Sequence, residues 1–572
     1  MRSSANHIWR YYLVLVLGFF FMALVVVRLF NIQLAQHGFY QALAQNQHQI
    51  ARELLPKRGE IFIQDKYSDK PFPIAINREE LTLYVAPKQI KDSPQVLAES
   101  LANILQISIE EILPKLQKKD DPFEVIKTKL SKQETAKIKD LNCSALGLLP
   151  VIGRYYPANN LASQTIGYLG YSNDVAKGQY GIEGYYEDVL KGDVGWLNGV
   201  KDVAGSLINI VIDKAEQEKD GADLILTIDQ NIQFMIEEKL AELVNKWQAQ
   251  EGSIIVMEPT TGAIRGLANW PNFDLNQYGK VANFDVFLNS ATQKLYEPGS
   301  IFKPIVMAAG LAEKKITPNT TYNDMGLVVV ADRKIHNAQN KSYGQQTMTQ
   351  VIEKSLNTGA VFVEQQVGDQ VFLDYIKRFG FDQKTGIDLS GERAGDIKNL
   401  LTGRPINFAT ASFGQGIAVT PMELVSGIGA IANQGKLMRP YLVAEQVSAD
   451  GQREIIQPKI RGEAISPEVA ATLTQMLVDS VANGFAKQAG VPGYRIAGKT
   501  GTAQISNPEG GYFEDRSLHS FIGFGPADDP QFVVLILLNS PQGVSFASIA
   551  VAPAFRDVAK YLLDHYHIAP EE

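Results

Sequence analysis

The longest uninterrupted apolar stretch of the chain lies near its N-terminus. Residues 11–27, YYLVLVLGFFFMALVVV, contain no charged side chain. As a helix rising 1.5 Å per residue, this stretch spans roughly 26 Å, close to the ~30 Å hydrocarbon core of a bilayer. Arg2 and Arg10 precede it, and after Arg28 no Lys or Arg follows until Arg52. The pattern predicts a transmembrane anchor over 11–30, a cytoplasmic tail over 1–10, and an extracytoplasmic remainder.

A cleaved signal peptide is the alternative interpretation of this stretch. Its length exceeds the usual apolar region of a signal peptide, and the nearest A-x-A sequence, Ala42-Leu43-Ala44, lies far beyond its end. We therefore expect a retained, single-pass anchor in the cell membrane.

Hydrophobic periodicity divides the rest of the chain in two. Residues 31–225 combine short strands, charged helices and Gly-punctuated turns, which predicts an elongated mixed module. From 226 onward the pattern changes: an apolar strand ends at Asp229, which is followed by an amphipathic helix. Apolar strands recur at 252–269 and 519–541, on either side of a helical middle. Residues 226–572 are thus predicted to form one α/β unit whose mostly antiparallel sheet is assembled from both ends of the segment.

Composition excludes several classes of function. The net charge of −8 gives no basic surface for nucleic acid. One cysteine, Cys143, permits neither an internal disulfide nor a thiolate metal site, and the seven histidines are scattered. We predict no metal and no cofactor.

Ser300 and Lys303 form the first candidate for chemistry, in YEPGSIFKP at 296–304. The Pro-Gly pair ends the preceding segment and an apolar helix follows, so Ser300 is expected near a helix N-terminus, where developing negative charge is favoured. A lysine three residues later lies on the same face and, in a cleft of low dielectric, can take the serine's proton. A helix-capping serine beside a solvated lysine is the structural alternative.

Lys499, Thr500, Gly501 and Thr502 form a second candidate, K-T-G-T. On an exposed strand that borders a cleft, Gly501 would leave room for a peptide alongside, and the two hydroxyls with Lys499 would hold a carboxylate. The segment 493–500 also fits the phosphate-loop pattern G-x-x-x-x-G-K-T. That pattern requires a preceding strand and a helix at the lysine, whereas a strand is expected here. A second Lys-Thr-Gly, at 384–386, lies in a turn-rich loop and is interpreted as structural.

Ser355 and Asn357 form the third candidate, where Asn-Thr-Gly interrupts a helical pattern. A hydroxyl and an amide directed into the same cleft could relay a proton and orient a substrate amide. A helix-capping turn is the structural alternative.

Taken together, the three motifs S-x-x-K, S-x-N and K-T-G-T resemble those of the penicillin-recognising serine transpeptidases, and they occur in the same order. The likeness to class B penicillin-binding proteins covers nearly the whole chain. It includes six further segments: TGIDLSGE (385–392), SFGQGIAVTPMEL (412–424), Arg58-Gly59 with Asp65, Arg154–Pro157, Gly181-Ile182-Glu183, and LTID at 226–229.

The resemblance implies a pedestal or dimerisation domain over 31–225 and a β-lactamase-like serine transpeptidase domain, with an antiparallel sheet and a helical subdomain, over 226–572. It also implies a peptidoglycan D,D-transpeptidase of cell division or elongation. Ser300 would attack the penultimate D-alanine carbonyl of a stem peptide, with Lys303 as base. Ser355 and Lys499 would pass a proton to the departing D-alanine.

Further roles follow from the same resemblance. Asn357 would orient the acyl group, Thr500 and Thr502 would hold the terminal carboxylate, and the backbone N–H groups of Ser300 and Thr502 would form the oxyanion hole. β-Lactams would acylate Ser300. Because 31–225 has no room for a glycosyltransferase domain, a polymerase of the FtsW/RodA type is the expected membrane partner. A D,D-carboxypeptidase or β-lactamase, and a non-catalytic scaffold, are the rival interpretations.

Overall fold

A computed structural model describes residues 8–30, 49–54, 56–68, 70–91, 93–118, 121, 123–172, 175–201, 207–211, 218–507 and 510–570. Strands and helices are each numbered here in chain order. The strands are β1 (Gln49–Leu54), β2 (Ile61–Gln64), β3 (Phe72–Val85), β4 (Glu124–Lys127), β5 (Leu146–Tyr155), β6 (Tyr168–Ser172), β7 (Val175–Gln179), β8 (Gly195–Lys201), β9 (Leu207–Val211), β10 (Asp223–Asp229), β11 (Glu251–Met257), β12 (Ile264–Trp270), β13 (Thr321–Asp324), β14 (Leu327–Val330), β15 (Arg333–His336), β16 (Gly344–Thr347), β17 (Lys436–Met438), β18 (Val443–Val447), β19 (Arg453–Ile455), β20 (Ile460–Glu463), β21 (Ala497–Ser506), β22 (Tyr512–Gly525) and β23 (Phe532–Asn539).

The helices are α1 (Ile8–Phe30), α2 (Pro94–Leu105), α3 (Ile109–Leu116), α4 (Lys132–Asp140), α5 (Ser163–Ile166), α6 (Gly181–Tyr185), α7 (Glu187–Leu190), α8 (Gln230–Trp247), α9 (Ser290–Gln293), α10 (Lys303–Ala312), α11 (Met348–Glu353), α12 (Asn357–Val367), α13 (Asp369–Arg378), α14 (Pro405–Ala411), α15 (Pro421–Ala432), α16 (Pro467–Asn483), α17 (Ala547–Ala550) and α18 (Ala552–His565).

The chain divides into two compact units, the first made of residues 1–57 and 191–221. Its helix α1 contains the predicted apolar stretch, and Tyr12–Phe30 is long and apolar enough to cross a membrane. Its sheet is antiparallel, with β8 between β1 and β9.

The second unit, residues 58–190 and 222–572, contains two larger sheets. The first has the order β19-β18-β10-β2-β3-β4, with β5 also paired to β3, and β10 runs parallel to β2. The domain boundary expected from sequence, between residues 225 and 226, lies inside strand β10. Strand β18, from the C-terminal half of the chain, pairs with β10 and so belongs to the same sheet. As predicted, Asp229 caps helix α8 by accepting hydrogen bonds from the backbone N–H groups of Asn231 and Ile232.

A buried ionic cluster joins three segments of this unit that are distant in sequence. The Glu183 carboxylate, with no exposed surface, lies 2.7 Å from Arg154 Nε and 2.7 Å from Arg58 Nη2. Tyr156 donates its hydroxyl to Glu183 at 3.2 Å, and Arg154 also donates to the Gly59 carbonyl oxygen at 2.8 Å. Burial acts to raise the pKa of Glu183, but the two arginines outweigh it and hold that pKa below its usual value.

The second sheet of the unit has the order β12-β11-β23-β22-β21 and is antiparallel throughout. Its strands come from 251–270 and 497–539, so the prediction of a sheet built from both ends of the segment is confirmed. Helices α8 and α18 pack against this sheet, and the mostly buried helix α10 packs against α12, α13 and α16. Strand β21 is left at the edge of the sheet, beside the turn that precedes α10.

Candidate active site

Ser300 lies in a single 3₁₀ turn, Gly299–Phe302, and helix α10 begins directly after it at Lys303. Gly299 has φ of +59°, a left-handed conformation that glycine adopts without steric cost. Its N–H donates to the Gly414 carbonyl oxygen at 2.9 Å, which anchors the turn. The predicted helix start is confirmed, and the turn brings the side chain at position 303 back to the serine.

Lys303 is completely buried, and its Nζ atom is surrounded by oxygen atoms. Ser300 Oγ lies 3.0 Å away and Asn357 Oδ1 2.9 Å away. From Ser355, the carbonyl oxygen lies at 2.6 Å and Oγ at 3.2 Å. The interpretation of Lys303 as a solvated lysine is therefore wrong.

The segment from Ser355 to Asn357 forms the opposite wall. Ser355 has φ of +56°, a strained conformation for a residue with a side chain, and α12 begins at Asn357. The Asn357 Nδ2 group donates to the His336 carbonyl oxygen at 2.9 Å. This second contact fixes the amide so that its oxygen, and not its nitrogen, faces Lys303.

Lys499 reaches the same cluster from the edge strand β21. Its Nζ atom, on a side chain that is 1% exposed, lies 2.9 Å from Ser355 Oγ and 3.1 Å from the Thr500 carbonyl oxygen. Ser355 Oγ is therefore within hydrogen-bond distance of both lysines. Because β21 continues as a strand through 497–506, no helix begins at Lys499 and the phosphate-loop alternative is wrong.

The remaining residues of K-T-G-T differ in their surroundings. Thr500 and Thr502 line the cavity described below, and Thr502 Oγ1 accepts from the Ala547 N–H at 3.2 Å. Gly501 does not line it. A Cβ on Gly501 would meet Ser520 Oγ at 2.4 Å and Ile301 Cγ2 at 2.9 Å. Glycine is thus needed where the strand packs on the Ser300 turn, which differs from the expectation that it keeps space for a peptide.

These elements enclose a cavity of about 500 Å³. Ser300, Ser355, Asn357, Thr500 and Thr502 line it, while Lys303 and Lys499 lie immediately behind the two serines. The eight residues named from sequence therefore lie at one site or directly beside it. In the second Lys-Thr-Gly, by contrast, the Thr385 backbone N–H donates to the Glu392 carboxylate at 2.7 Å, as expected of a structural loop.

Sequence reasoning missed part of the cavity wall. It is formed by Lys341, Tyr343, Lys354, Phe485 and Phe546. Four of these come from segments far from any motif, and no local pattern marks them. Lys354 is adjacent to Ser355 in sequence, and this adjacency is the signal that could have pointed to it.

Burial determines the electrostatics of the two lysines. Burial, followed by the charge of Lys499, lowers the pKa of Lys303 well below its usual value. Burial lowers the pKa of Lys499 to about 7. The lowered pKa favours the neutral form of the Lys303 amine, which can accept a proton from the Ser300 hydroxyl 3.0 Å away.

Comparison with known proteins agrees with this geometry. The family model for the penicillin binding protein transpeptidase domain matches residues 252–560, and that for the penicillin-binding protein dimerisation domain matches residues 53–226. The chain is 32% identical to Stage V sporulation protein D of Bacillus subtilis, over 98% of this chain and 86% of the relative. It is 29% identical to the peptidoglycan D,D-transpeptidase FtsI homolog of Mesostigma viride, over 98% and 96%.

Among solved structures, the fold is similar to penicillin binding protein 3 from Mycobacterium tuberculosis complexed with aztreonam, with a TM-score of 0.70 and 24% identity. The match covers 91% of this chain and 98% of that one. With both domains matched and all three motifs gathered at one cavity, the chain belongs to the class B penicillin-binding proteins, the serine D,D-transpeptidases that cross-link peptidoglycan.

Proposed function

We propose that Ser300 is the nucleophile of the D,D-transpeptidase reaction and that Lys303 is its general base. The observation that carries this assignment is the hydrogen bonding of the Lys303 amine. A neutral amine has two N–H donors and one lone pair. The Ser355 carbonyl oxygen and Asn357 Oδ1 accept hydrogen bonds but cannot donate, so they take the two N–H groups. The lone pair is then left for the Ser300 hydroxyl.

The reaction proceeds in two balanced steps. Ser300 Oγ attacks the carbonyl carbon of the penultimate D-alanine while its proton passes to Lys303. When the peptide bond breaks, the departing amine must gain a proton, and Ser355 Oγ, which lies 3.2 Å from the protonated Lys303 and 2.9 Å from Lys499, is placed to pass on the proton that Lys303 took up. An amine from a neighbouring strand then attacks the acyl carbon, the ester bond to Ser300 breaks as the new amide bond forms, and one proton of that amine passes to Ser300 Oγ.

Other residues hold the substrate. Thr500 and Thr502, with Lys499 beside them, bind the terminal carboxylate, because hydroxyl and ammonium donors pair well with a carboxylate. Asn357 orients the acyl group. The backbone N–H groups of Ser300 and Thr502 stabilise the negative charge that develops on the attacked carbonyl oxygen.

Labelling of the full chain in detergent with a fluorescent penicillin tests the assignment. We expect a stable acyl-enzyme that is absent in Ser300→Ala and forms at least a hundredfold more slowly in Lys303→Met. Among the described residues that line the cavity there is no Asp or Glu to activate a water, which supports slow release. Rapid release would instead indicate a hydrolase, and absence of labelling in the unaltered protein would indicate a scaffold.

The membrane arrangement is part of the same proposal. Residues 11–30 anchor the chain, 1–10 remain in the cytoplasm, and the pedestal (31–225) and transpeptidase domain (226–572) lie outside, where they meet an FtsW/RodA-type polymerase through the anchor and pedestal. Cys143 is the one cysteine in the chain, and its neighbour Ser144 is exposed. In a Cys143→Ser background, Ser144→Cys should react with a membrane-impermeant maleimide on intact spheroplasts. Reaction only after lysis would contradict this topology.

A further inference from the structure

The wall of the cavity beyond Ser355 carries positive charge. Lys341 and Lys354 line it, and the described residues that line the cavity include no Asp or Glu. Lys303 and Lys499 lie behind the two serines, so Lys341 and Lys354 are the basic side chains among the described residues that line the cavity itself. A peptide whose one carboxylate is already held by Thr500 and Thr502 leaves them without a counter-ion.

Lys354 is held in position by groups that do not neutralise it. Its Nζ atom donates to Gln346 Oε1 at 2.6 Å and lies 5.3 Å from the centre of the Tyr343 ring. Gln346, 6% exposed, in turn donates to the Tyr343 carbonyl oxygen at 2.9 Å. Of the three N–H donors of an ammonium, two have no hydrogen-bond partner among the described residues. A pre-positioned cation with free donors is suited to bind an anion.

The two nearby carboxylates, Asp324 and Glu353, are hydrogen-bonded to groups other than Lys354. Asp324 is 2% exposed and accepts hydrogen bonds from Asn337, Tyr343 N–H and Thr358. Burial raises the pKa of Glu353 and the charge of Lys354 acts to lower it, but the Glu353 side chain is hydrogen-bonded to Asn483. Neither lines the cavity, and no carboxylate in the described part of the chain lies within ion-pair distance of the Lys354 ammonium.

We infer that Lys354, assisted by Lys341, binds a second, free carboxylate of the donor peptide, located on the acyl side of the bond that is cleaved. The inference rests on the proposed acyl transfer to Ser300 and specifies its substrate: a stem peptide with a free acidic group near the terminal D-alanines, in preference to one in which that group is amidated. Lys354 is a specificity-determining residue and takes no part in proton transfer.

A matched pair of penicillins tests the inference on the full-length protein. Benzylpenicillin and carboxybenzylpenicillin differ by one carboxylate on the acyl side chain. The measured quantity is the ratio of their second-order acylation rate constants. In Lys354→Met the ratio of the rate constant for carboxybenzylpenicillin to that for benzylpenicillin should fall about tenfold, since a hydrogen-bonded contact with a charged group is lost. Lys341→Met should lower it less, because Lys341 is more exposed.

Lys377→Met is the control, because this exposed lysine of α13 does not line the cavity and its replacement changes the net charge equally. It should leave the ratio unaltered. In the unaltered protein the ratio should also fall as salt screens the contact, a readout that needs no variant to fold. An unchanged ratio in Lys354→Met, or a ratio insensitive to salt, overturns the inference. Benzylpenicillin labelling of Ser300 would persist in that case, so the proposed catalytic assignment would stand.

Discussion

The carbonyl oxygen of Ser355 lies 2.6 Å from the side-chain nitrogen of Lys303. This contact depends on the left-handed backbone at Ser355, whose φ is +56°. A serine in that conformation costs about 1–2 kcal/mol relative to an ordinary backbone. Ser355 supplies a carbonyl oxygen that accepts from Lys303 and a hydroxyl within hydrogen-bond distance of both lysines. The strained residue is therefore at the centre of the proposed proton pathway.

Replacing Ser355 by Gly and by Ala separates the backbone from the hydroxyl. Both variants lack Oγ, so penicillin acylation should fall about a hundredfold in each. Ala retains the strain and Gly removes it, so Ser355→Gly should be about 1 kcal/mol more stable than Ser355→Ala in denaturant unfolding. The same pair at Ser540, which has φ of +53° and does not line the cavity, should show the stability difference without the loss of acylation. Equal stability of the two Ser355 variants would show that the conformation is not strained.

The two lysines should give acylation a bell-shaped dependence on pH. Lys303 must be neutral to accept a proton, and its lowered pKa places the rising limb well below the range of an ordinary lysine. Lys499 must be charged to pair with a carboxylate, so the rate constant should decline above its pKa of about 7. Stopped-flow measurement of the second-order rate constant with benzylpenicillin checks both limbs.

A Lys499→Arg variant is the matched test of the falling limb, because a guanidinium stays charged throughout the range. The decline near pH 7 should disappear while the rising limb remains. If the decline persists in this variant, it belongs to a different group.

The sequence allowed the site residues to be named because the chemistry is concentrated in three short motifs. Helix α8, its cap at Asp229 and the two-ended sheet were also predictable, since each has a local periodicity or capping signal. The sharing of the first sheet between β10 and β18 was not, because β-pairing between distant segments leaves no mark in either strand. The cavity wall at Lys341 and Tyr343 could not be predicted either, because contact between segments that are distant in sequence leaves no local pattern. The packing role of Gly501 depends on Ser520 and Ile301, which sequence spacing does not relate to it.

Gly501→Ala tests that packing role. The added methyl would lie 2.4 Å from Ser520 Oγ and 2.9 Å from Ile301 Cγ2, so these side chains, or the strand and the Ser300 turn that carry them, must shift. We expect a loss of about 1–3 kcal/mol in the free energy of unfolding and at least a tenfold slower acylation. Gly462→Ala is the control, because no atom lies within 4 Å of its added methyl. Weaker substrate binding without any loss of stability would instead favour the role of Gly501 in leaving space for a peptide.

The buried cluster around Glu183 should be essential for stability and not for chemistry. Glu183→Gln leaves Arg58 and Arg154 buried without their shared carboxylate, which should lower the free energy of unfolding by about 3–5 kcal/mol. Glu187→Gln is the control. Glu187 contacts Arg58 but not Arg154 and is 15% exposed, so its replacement should lower the free energy of unfolding by less.

The pH dependence of unfolding distinguishes a lost charge from a lost shape. The folded-state pKa of Glu183 is lowered, so its contribution to stability is present above the pKa of an unfolded glutamate and is lost as pH falls through the lowered value. The unaltered protein should therefore lose stability in acid more steeply than Glu183→Gln. If both lose stability in parallel between neutral and acid pH, the two arginines are not held by the charge on Glu183, and packing of the side chain accounts for the effect.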